Sequence, residues 1–180
     1  MAGVTRFEDM DCHRLAVAVR RQVVRMVRNG PARKEYRFSN QIRDSARSAP
    51  ANIAEGFSRF IPGEMLQFAS YAKASLDETK NHVVDGLESN YFSRDDANRV
   101  LRLIARSLGA LRGWMRYLES PAARRFYAEH RARLQEDGIV SRTTSRRRKR
   151  VLKLSAEKPT PNPRTEEPAP RTPNPGTLEP

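Results

Sequence analysis

Two sets of polar residues have the types and spacing that could support catalysis. Asn52 and Glu55 lie three residues apart in the stretch SARSAPANIAEGFSR, and Glu78 and His82 lie four apart further along the chain. Residues at these spacings share one face of a helix, so Glu55, Glu78 and His82 would form a carboxylate–imidazole cluster if the two helices met. A di-metal bundle site needs Glu-x-x-His from each of two helices. The longer spacing here argues against metal catalysis, which stays an alternative only.

The same polar residues have a structural explanation. Hydrogen bonds between polar side chains of packed helices can set the register of those helices. We predict such a network from Gln41, Ser48, Asn52, Glu55, Ser75 and Glu78. Serines are plentiful, but none has a context that would activate it as a nucleophile, and no glycine-rich loop precedes a helix to hold phosphate. We therefore predict a protein without catalytic residues, bound metal or cofactor.

Arginines recur along two helices, in a chain whose formal charge is +13. The planar guanidinium group pairs well with phosphate because it can donate two parallel hydrogen bonds. We predict contacts to RNA or DNA from Arg14, Arg21, Arg25 and Arg28 on the first helix and from Arg99, Arg102, Arg106 and Arg116 on the fourth. An ordinary solvated face is the alternative for each stripe.

A denser basic run lies near the C-terminus. We predict that Arg146, Arg147, Arg148, Lys149 and Arg150 also contact nucleic acid, with a solubilising tail as the alternative. No aromatic residue interleaves any of these runs, so we expect contacts to backbone and shape rather than base stacking. Residues 157–180 hold eight prolines and almost no apolar side chain. We therefore expect a disordered tail over 139–180, basic first and then proline-rich.

The elements that carry these residues follow from hydrophobic spacing, which is helical throughout the first three quarters of the chain. We predict a first helix over 9–29, a second capped by Ser39 or Asn40, a third over 63–90, a fourth starting at Ser93 and a short fifth from Pro121 to Glu136. Tyr36 and Phe38 should close one end of the core. Four long helices with short connections indicate an all-α fold over 1–138, an antiparallel up-and-down four-helix bundle with a short extra C-terminal helix.

Cysteine and hydropathy limit the environment of the protein. The single cysteine, Cys12, lies on the apolar stripe of the first helix, so we expect a buried and unreactive thiol. No apolar run is long enough to cross a membrane, and no signal-like segment starts the chain. We expect a cytoplasmic protein without membrane contact.

The pattern around the second and third helices resembles a known family. The motif is a Gln–Ile–x–Arg opening, then Asn–Ile–Ala–Glu–Gly, then Ala–x–x–Ser–Leu–x–Glu one helix later; in this chain Arg43 follows Ile42 directly. Here it consists of Gln41, Ile42, Asn52, Ile53, Ala54, Glu55, Gly56, Ala72, Ser75, Leu76 and Glu78. With FEDMDCHRLA before it, the chain over about 7–118 is similar to the 23S rRNA intervening-sequence proteins. The resemblance favours one long second helix that runs through Pro50, with small residues where a neighbouring helix approaches closely.

The resemblance also implies an assembly. It implies a bacterial four-helix protomer in a five-fold ring, a homopentamer, in a family without an established catalytic activity. A related branch, the accessory variability determinant of diversity-generating retroelements, binds a reverse transcriptase and its RNA, and SLGALRGWMRYL (107–118) is similar to its last helix. We expect a non-enzymatic oligomer that binds RNA or DNA through basic surfaces within a ribonucleoprotein or retroelement assembly, with a reverse transcriptase as one possible partner. A protein–protein interaction scaffold is the alternative.

Overall fold

A computed structural model describes residue 4 and residues 6–136 of the chain. The described residues form five α-helices and two short 3-10 helices, Phe7–Asp9 and Pro31–Lys34. The α-helices are α1 (Asp11–Asn29), α2 (Tyr36–Phe57), α3 (Pro62–Glu88), α4 (Arg94–Glu119) and α5 (Pro121–Glu136). The prediction of an all-α fold with an extra C-terminal helix is confirmed.

The first four helices form a closed bundle in which each helix packs against two others. Helix α1 contacts α2 and α4, and α3 contacts α2 and α4. Because the connections are short, successive helices run antiparallel, as in an up-and-down bundle. The centre is filled by side chains that are fully buried, among them Val19, Ile53, Leu76, Ile104 and Trp114. Helix α5 packs on α4 and, over a smaller area, on α3.

Helix α2 runs without interruption through a proline. Pro50 is buried within the helix and lacks the amide hydrogen that would bond one turn back. The prediction that one long helix spans this site is therefore confirmed. The predicted start of α2 at Ser39 or Asn40 is wrong, because the helix begins at Tyr36. The Ser39 hydroxyl does not cap α2 but donates to the carbonyl oxygen of Ala32 in the preceding 3-10 helix.

One end of the core is closed by aromatic residues. Phe38 packs against Tyr91 and Phe92, with ring centroids 5.1 and 5.8 Å away. Tyr36 was expected to join them, but its side chain is 80% exposed, so that prediction is wrong. As the first residue of α2, Tyr36 stands where the helix leaves the connection, whereas Phe38 follows on the face that meets the α3–α4 turn.

Helix α4 starts as the sequence predicts. The Ser93 hydroxyl accepts a hydrogen bond from the amide of Asp96 at 3.1 Å, which satisfies one of the free donors of the first turn. Further along, Trp114 is 1% exposed and fills the core. Met115, the next residue, is half-buried and packs against the core.

The lone cysteine lies in the core as predicted. Cys12 is 2% exposed, and burial raises the pKa of its thiol to about 12. The neutral thiol therefore persists at physiological pH. Within residues 6–136, none of the helices combines the length and the apolar character needed to cross a membrane.

Candidate nucleic-acid interface

The predicted arginine stripes lie on two helices that pack against each other. Helices α1 and α4 are antiparallel neighbours. Every predicted contact residue on them is exposed, namely Arg14, Arg21, Arg25, Arg28, Arg99, Arg102, Arg106 and Arg116. The predicted cluster of Arg146, Arg147, Arg148, Lys149 and Arg150 lies outside the described residues.

Charge is segregated between the two sides of the bundle. Helices α1 and α4 together hold eleven basic and four acidic residues. Helices α2 and α3, which pack together on the other side, hold five basic and seven acidic residues. The acids of α1 and α4 all lie in end turns, so α1 after Asp11 and α4 from Ala97 to Leu118 contain none. We call this surface of α1 and α4 the basic side.

A groove between the two helices joins the stripes. It has a volume of about 560 Å³ and is lined by Asp11, Arg14 and Leu15 of α1 and by Arg106, Gly109 and Ala110 of α4. Arg14 and Arg106 therefore border the same depression. Arg14 donates to Asp11 at 2.6 Å, and this hydrogen bond raises the pKa of Arg14. Its charge is partly compensated.

The remaining arginines of the basic side have no acidic partner among the described residues. The ion pairs found within residues 6–136 include neither Arg21, Arg25 and Arg28 nor Arg99, Arg102 and Arg106. Arg25 borders a second groove of about 420 Å³ at the far end of the pair, which also includes Asp96. Arg116 is set apart, because it lines a third groove with Arg112 and Met115. The structure thus brings the α1 stripe together with Arg99, Arg102 and Arg106.

Three predicted members of the register network, Ser48, Asn52 and Ser75, are joined by hydrogen bonds. Ser75 Oγ of α3 lies 2.9 Å from Ser48 Oγ of α2. Asn52 Nδ2 donates hydrogen bonds to the hydroxyl and carbonyl oxygens of Ser48, at 3.0 and 2.9 Å. One turn away, Thr79 Oγ1 lies 3.1 Å from Ser45 Oγ. We call Ser45, Ser48, Asn52, Ser75 and Thr79 the hydroxyl network. It links α2 to α3 at two levels.

Three predicted members lie outside the hydroxyl network. Gln41 is exposed. Glu55 is exposed and pairs with Arg59 in the turn that follows α2. Glu78 is also exposed, 3.8 Å from His82 Nε2 one turn along α3. These side chains extend toward water because the polar face of a helix is wider than the strip that contacts the neighbouring helix. Helical spacing alone does not show which residues of that face lie in the contact strip.

The predicted network did not include Ser45 and Thr79. Both are buried, and each lies one turn from a residue that was predicted, so a search for hydroxyls at i±3 or i±4 would have found them. The cluster of Glu55, Glu78 and His82 is not assembled. The described residues also contain no group of three or more His, Cys, Asp or Glu side chains placed to hold a metal ion.

The close approach of α2 and α3 depends on Gly56, the glycine of the Asn–Ile–Ala–Glu–Gly motif. A Cβ atom at Gly56 would lie 2.8 Å from Phe68 Cβ, and Ile53, one turn earlier, is fully buried.

A sequence profile of the 23S rRNA-intervening sequence proteins matches residues 8–113 of the chain. The chain belongs to this family.

Membership of the 23S rRNA-intervening sequence protein family covers the bundle. The matched range includes α1, α2, α3 and most of α4, and it ends before α5. The family motif thereby acquires a physical meaning, since Ile53 fills the core, Asn52 and Ser75 join the hydroxyl network and Gly56 admits α3. No curated protein matches the chain in a sequence comparison.

Proposed function

We propose that this protein is a non-enzymatic bundle that binds the sugar–phosphate backbone of RNA or DNA through its basic side. The observation that carries the proposal is the segregation of charge, with eleven basic and four acidic residues on α1 and α4 against five and seven on α2 and α3. A solvated helix face needs charge of either sign, whereas the charged residues of α1 and α4 between their end turns are all arginines. Such a surface favours a polyanion.

The dimensions of the basic side fit several phosphates. Arg14 and Arg28 are separated along α1 by about 21 Å, at 1.5 Å per residue. Double-stranded DNA carries one charge per about 1.7 Å with both strands counted, so a duplex lying along α1 carries about twelve phosphates on its two strands over this length. Antiparallel α4 adds Arg99, Arg102 and Arg106 beside them. Seven arginines can therefore engage phosphates at once, and backbone contact of this kind is independent of sequence.

Assembly would strengthen this binding. The family resemblance implies a ring, and we propose that the protein is a homo-oligomer, with five copies as the expected number. Each added copy repeats the basic side, and linked sites raise the overall affinity without any new type of contact. The basic run 146–150 would add further phosphate contacts. Native mass spectrometry of the full chain measures the number of copies directly.

Binding over a salt series tests the phosphate contacts. The full chain is titrated with a labelled RNA hairpin and a labelled DNA duplex between 50 and 200 mM salt. Seven phosphate contacts predict a slope of about −6 for log K against log salt, and a loss of affinity of about a thousandfold or more over this range. Replacing Arg21, Arg25, Arg99 and Arg102 by Gln should reduce the magnitude of the slope by about 3 to 4.

The acidic side of the bundle offers a matched control. Arg37, Arg47, Lys73 and Lys80 are also exposed and lie on α2 and α3. Replacing these four by Gln removes the same charge and should change the slope by less than about 1. Equal effects of the two quadruple variants would mean that net charge, and not the basic side, governs binding. Absence of binding at 50 mM salt would refute the proposed function.

Protein partners belong to the same proposal. We propose that the bundle acts within a ribonucleoprotein, and the retroelement branch of the resemblance suggests a reverse transcriptase as partner. Co-purification of a partner that is lost on nuclease treatment supports a nucleic-acid-centred assembly. A partner retained after nuclease treatment, together with no nucleic-acid binding, would support the scaffold instead.

A further inference from the structure

Helix α5 and the α2–α3 turn (58–61) together carry a row of aromatic rings that the basic side does not include. The ring centroid of Phe60, in the turn, lies 5.4 Å from that of His130 on α5. The rings of Phe126 and His130 are 6.1 Å apart and nearly parallel, with an interplanar angle of 4°. Tyr127 meets Phe126 edge-on, with centroids 5.2 Å apart. We call Phe60, Phe126, Tyr127 and His130 the aromatic row.

The aromatic row is partly open to solvent, since Phe126 is exposed whereas Phe60, Tyr127 and His130 are half-buried. Phe126 is 47% exposed, which is unusual for a phenylalanine. Phe60 is held at φ 53°, in the left-handed region that residues with side chains rarely occupy. A bulky residue in this conformation costs free energy that the surrounding structure must offset, and such residues concentrate at functional sites. The backbone conformation sets the Phe60 ring against His130 rather than within the core.

Cationic side chains frame the aromatic row. A groove of about 300 Å³ beside it is lined by Phe60, Pro62 and Tyr127, together with Arg124 and Arg131. Helix α5 carries four arginines and two glutamates. The volume is at the lower end of the range of about 300–1,000 Å³ for small-molecule sites, so it suits one planar group.

An exposed aromatic ring next to half-buried rings and arginines matches the chemistry of an unpaired nucleotide. A nucleobase stacks on an aromatic face through its own π-face, and the neighbouring phosphates pair with guanidinium groups. In a duplex the faces of the bases are already stacked on each other, so only unpaired bases are available. A purely apolar peptide would leave the arginines unused.

Resting on the proposed binding of nucleic acid, we infer that the aromatic row is a stacking site for an unpaired base of the bound strand. The basic side then holds backbone of any structure, and the aromatic row selects single-stranded segments. The inference differs from the expectation that contacts are to backbone and shape rather than by base stacking. No aromatic residue interleaves the basic runs of the sequence, whereas folding brings Phe60 to α5.

Comparison of single-stranded and duplex ligands tests the inference. Full-length protein is titrated with a labelled oligouridine and with an RNA duplex of equal length at one salt concentration. Phe126→Ala should weaken oligouridine binding about tenfold, at the lower end of the effect of losing one stacked base, and leave duplex binding within about twofold. Phe126→Trp should restore oligouridine binding. Tyr71→Ala is the matched control, because Tyr71 on α3 is 48% exposed.

Crosslinking identifies what occupies the aromatic row. The variant Phe126→p-benzoylphenylalanine is irradiated with and without oligouridine, and a crosslink to the oligonucleotide is expected. A crosslink to residues 141–180 or to a second copy that oligouridine does not displace would overturn the inference. So would equal losses of oligouridine and duplex binding in Phe126→Ala, or no loss of either. If duplex binds and oligouridine does not, the stacking site fails and the proposed function stands; if neither binds, the proposed function fails.

Discussion

A single added methyl group should have opposite effects at two glycines of the bundle. Gly56 lies near the end of α2, and a Cβ atom there would meet Phe68 Cβ at 2.8 Å and the Met65 carbonyl oxygen at 3.4 Å. Gly109 lies within α4, and a Cβ atom there would meet nothing within 4 Å. The substitutions Gly56→Ala and Gly109→Ala are chemically identical, so their difference reports the packing of α3 on α2.

The expected magnitude follows from these distances. Carbon atoms in contact prefer about 3.5–4.0 Å, so Gly56→Ala requires α2 and α3 to separate locally by about 1 Å. Phe68 Cβ is bonded to the backbone of α3 and cannot rotate away, and overpacking of this kind costs about 1–3 kcal/mol. The better helix propensity of alanine returns at most about 1 kcal/mol, and less at a helix end. We expect Gly56→Ala to lower the free energy of unfolding by about 1–2 kcal/mol.

Gly109→Ala should raise the free energy of unfolding by about 1 kcal/mol, because it gains helix propensity without a clash. Urea denaturation, monitored by far-ultraviolet circular dichroism, measures the free energy of unfolding of both variants. The m value, the dependence of this free energy on urea concentration, is expected to stay constant, and all samples are compared at the same protein concentration. Equal stability of Gly56→Ala and the unaltered protein would show that α2 and α3 are not in tight contact at Gly56. A destabilising Gly109→Ala would show that its open face is covered by another chain.

Three further predictions concern buried or capping side chains. Thr79→Val keeps the shape of a fully buried residue but removes the contacts to Ser45 Oγ and the Ser75 carbonyl oxygen, so denaturation should show a loss of about 1–2 kcal/mol. Ser93→Ala removes the cap of α4 and should cost about 1 kcal/mol in the same assay. Burial raises the pKa of the Cys12 thiol from 9.0 to about 12, so the thiol loses its proton at lower pH in the unfolded chain than in the folded protein. The free energy of unfolding should therefore fall as pH rises from about 9 to 12. The fall in unfolding free energy across that window should be shallower in Cys12→Ala, and equal slopes would contradict the assignment.

Much of the fold could be predicted from the sequence because helix formation is local. Hydrophobic residues at helical spacing identify each helix and its buried stripe, and Ser93 followed by acids marks the start of α4. Helix boundaries were less certain. The start of α2 was misplaced because Ser39 has the composition of a cap, whereas its hydroxyl bonds to Ala32, a partner outside the helix. Local pattern does not show which of two hydrogen bonds a hydroxyl makes.

The candidate sites depend more strongly on contacts between helices. The sequence identified Ser48, Asn52 and Ser75 as polar residues on one face, but only packing decides that Ser45 and Thr79 join them and that Glu55 and Glu78 face water. A face of a helix spans many directions, and a neighbouring helix covers only part of it.

The sequence by itself determined that this protein is a basic, all-helical member of its family, since period, composition and motif are properties of the chain. Only the tertiary structure decided that the two arginine stripes lie on adjacent helices, with α2 and α3, which together carry more acidic than basic residues, on the other side. It also decided that Phe60 meets His130, seventy residues away, on an open surface. Which surfaces share a side of the bundle depends on the pairing of helices, because helices bury their apolar stripes against whichever partner the topology provides.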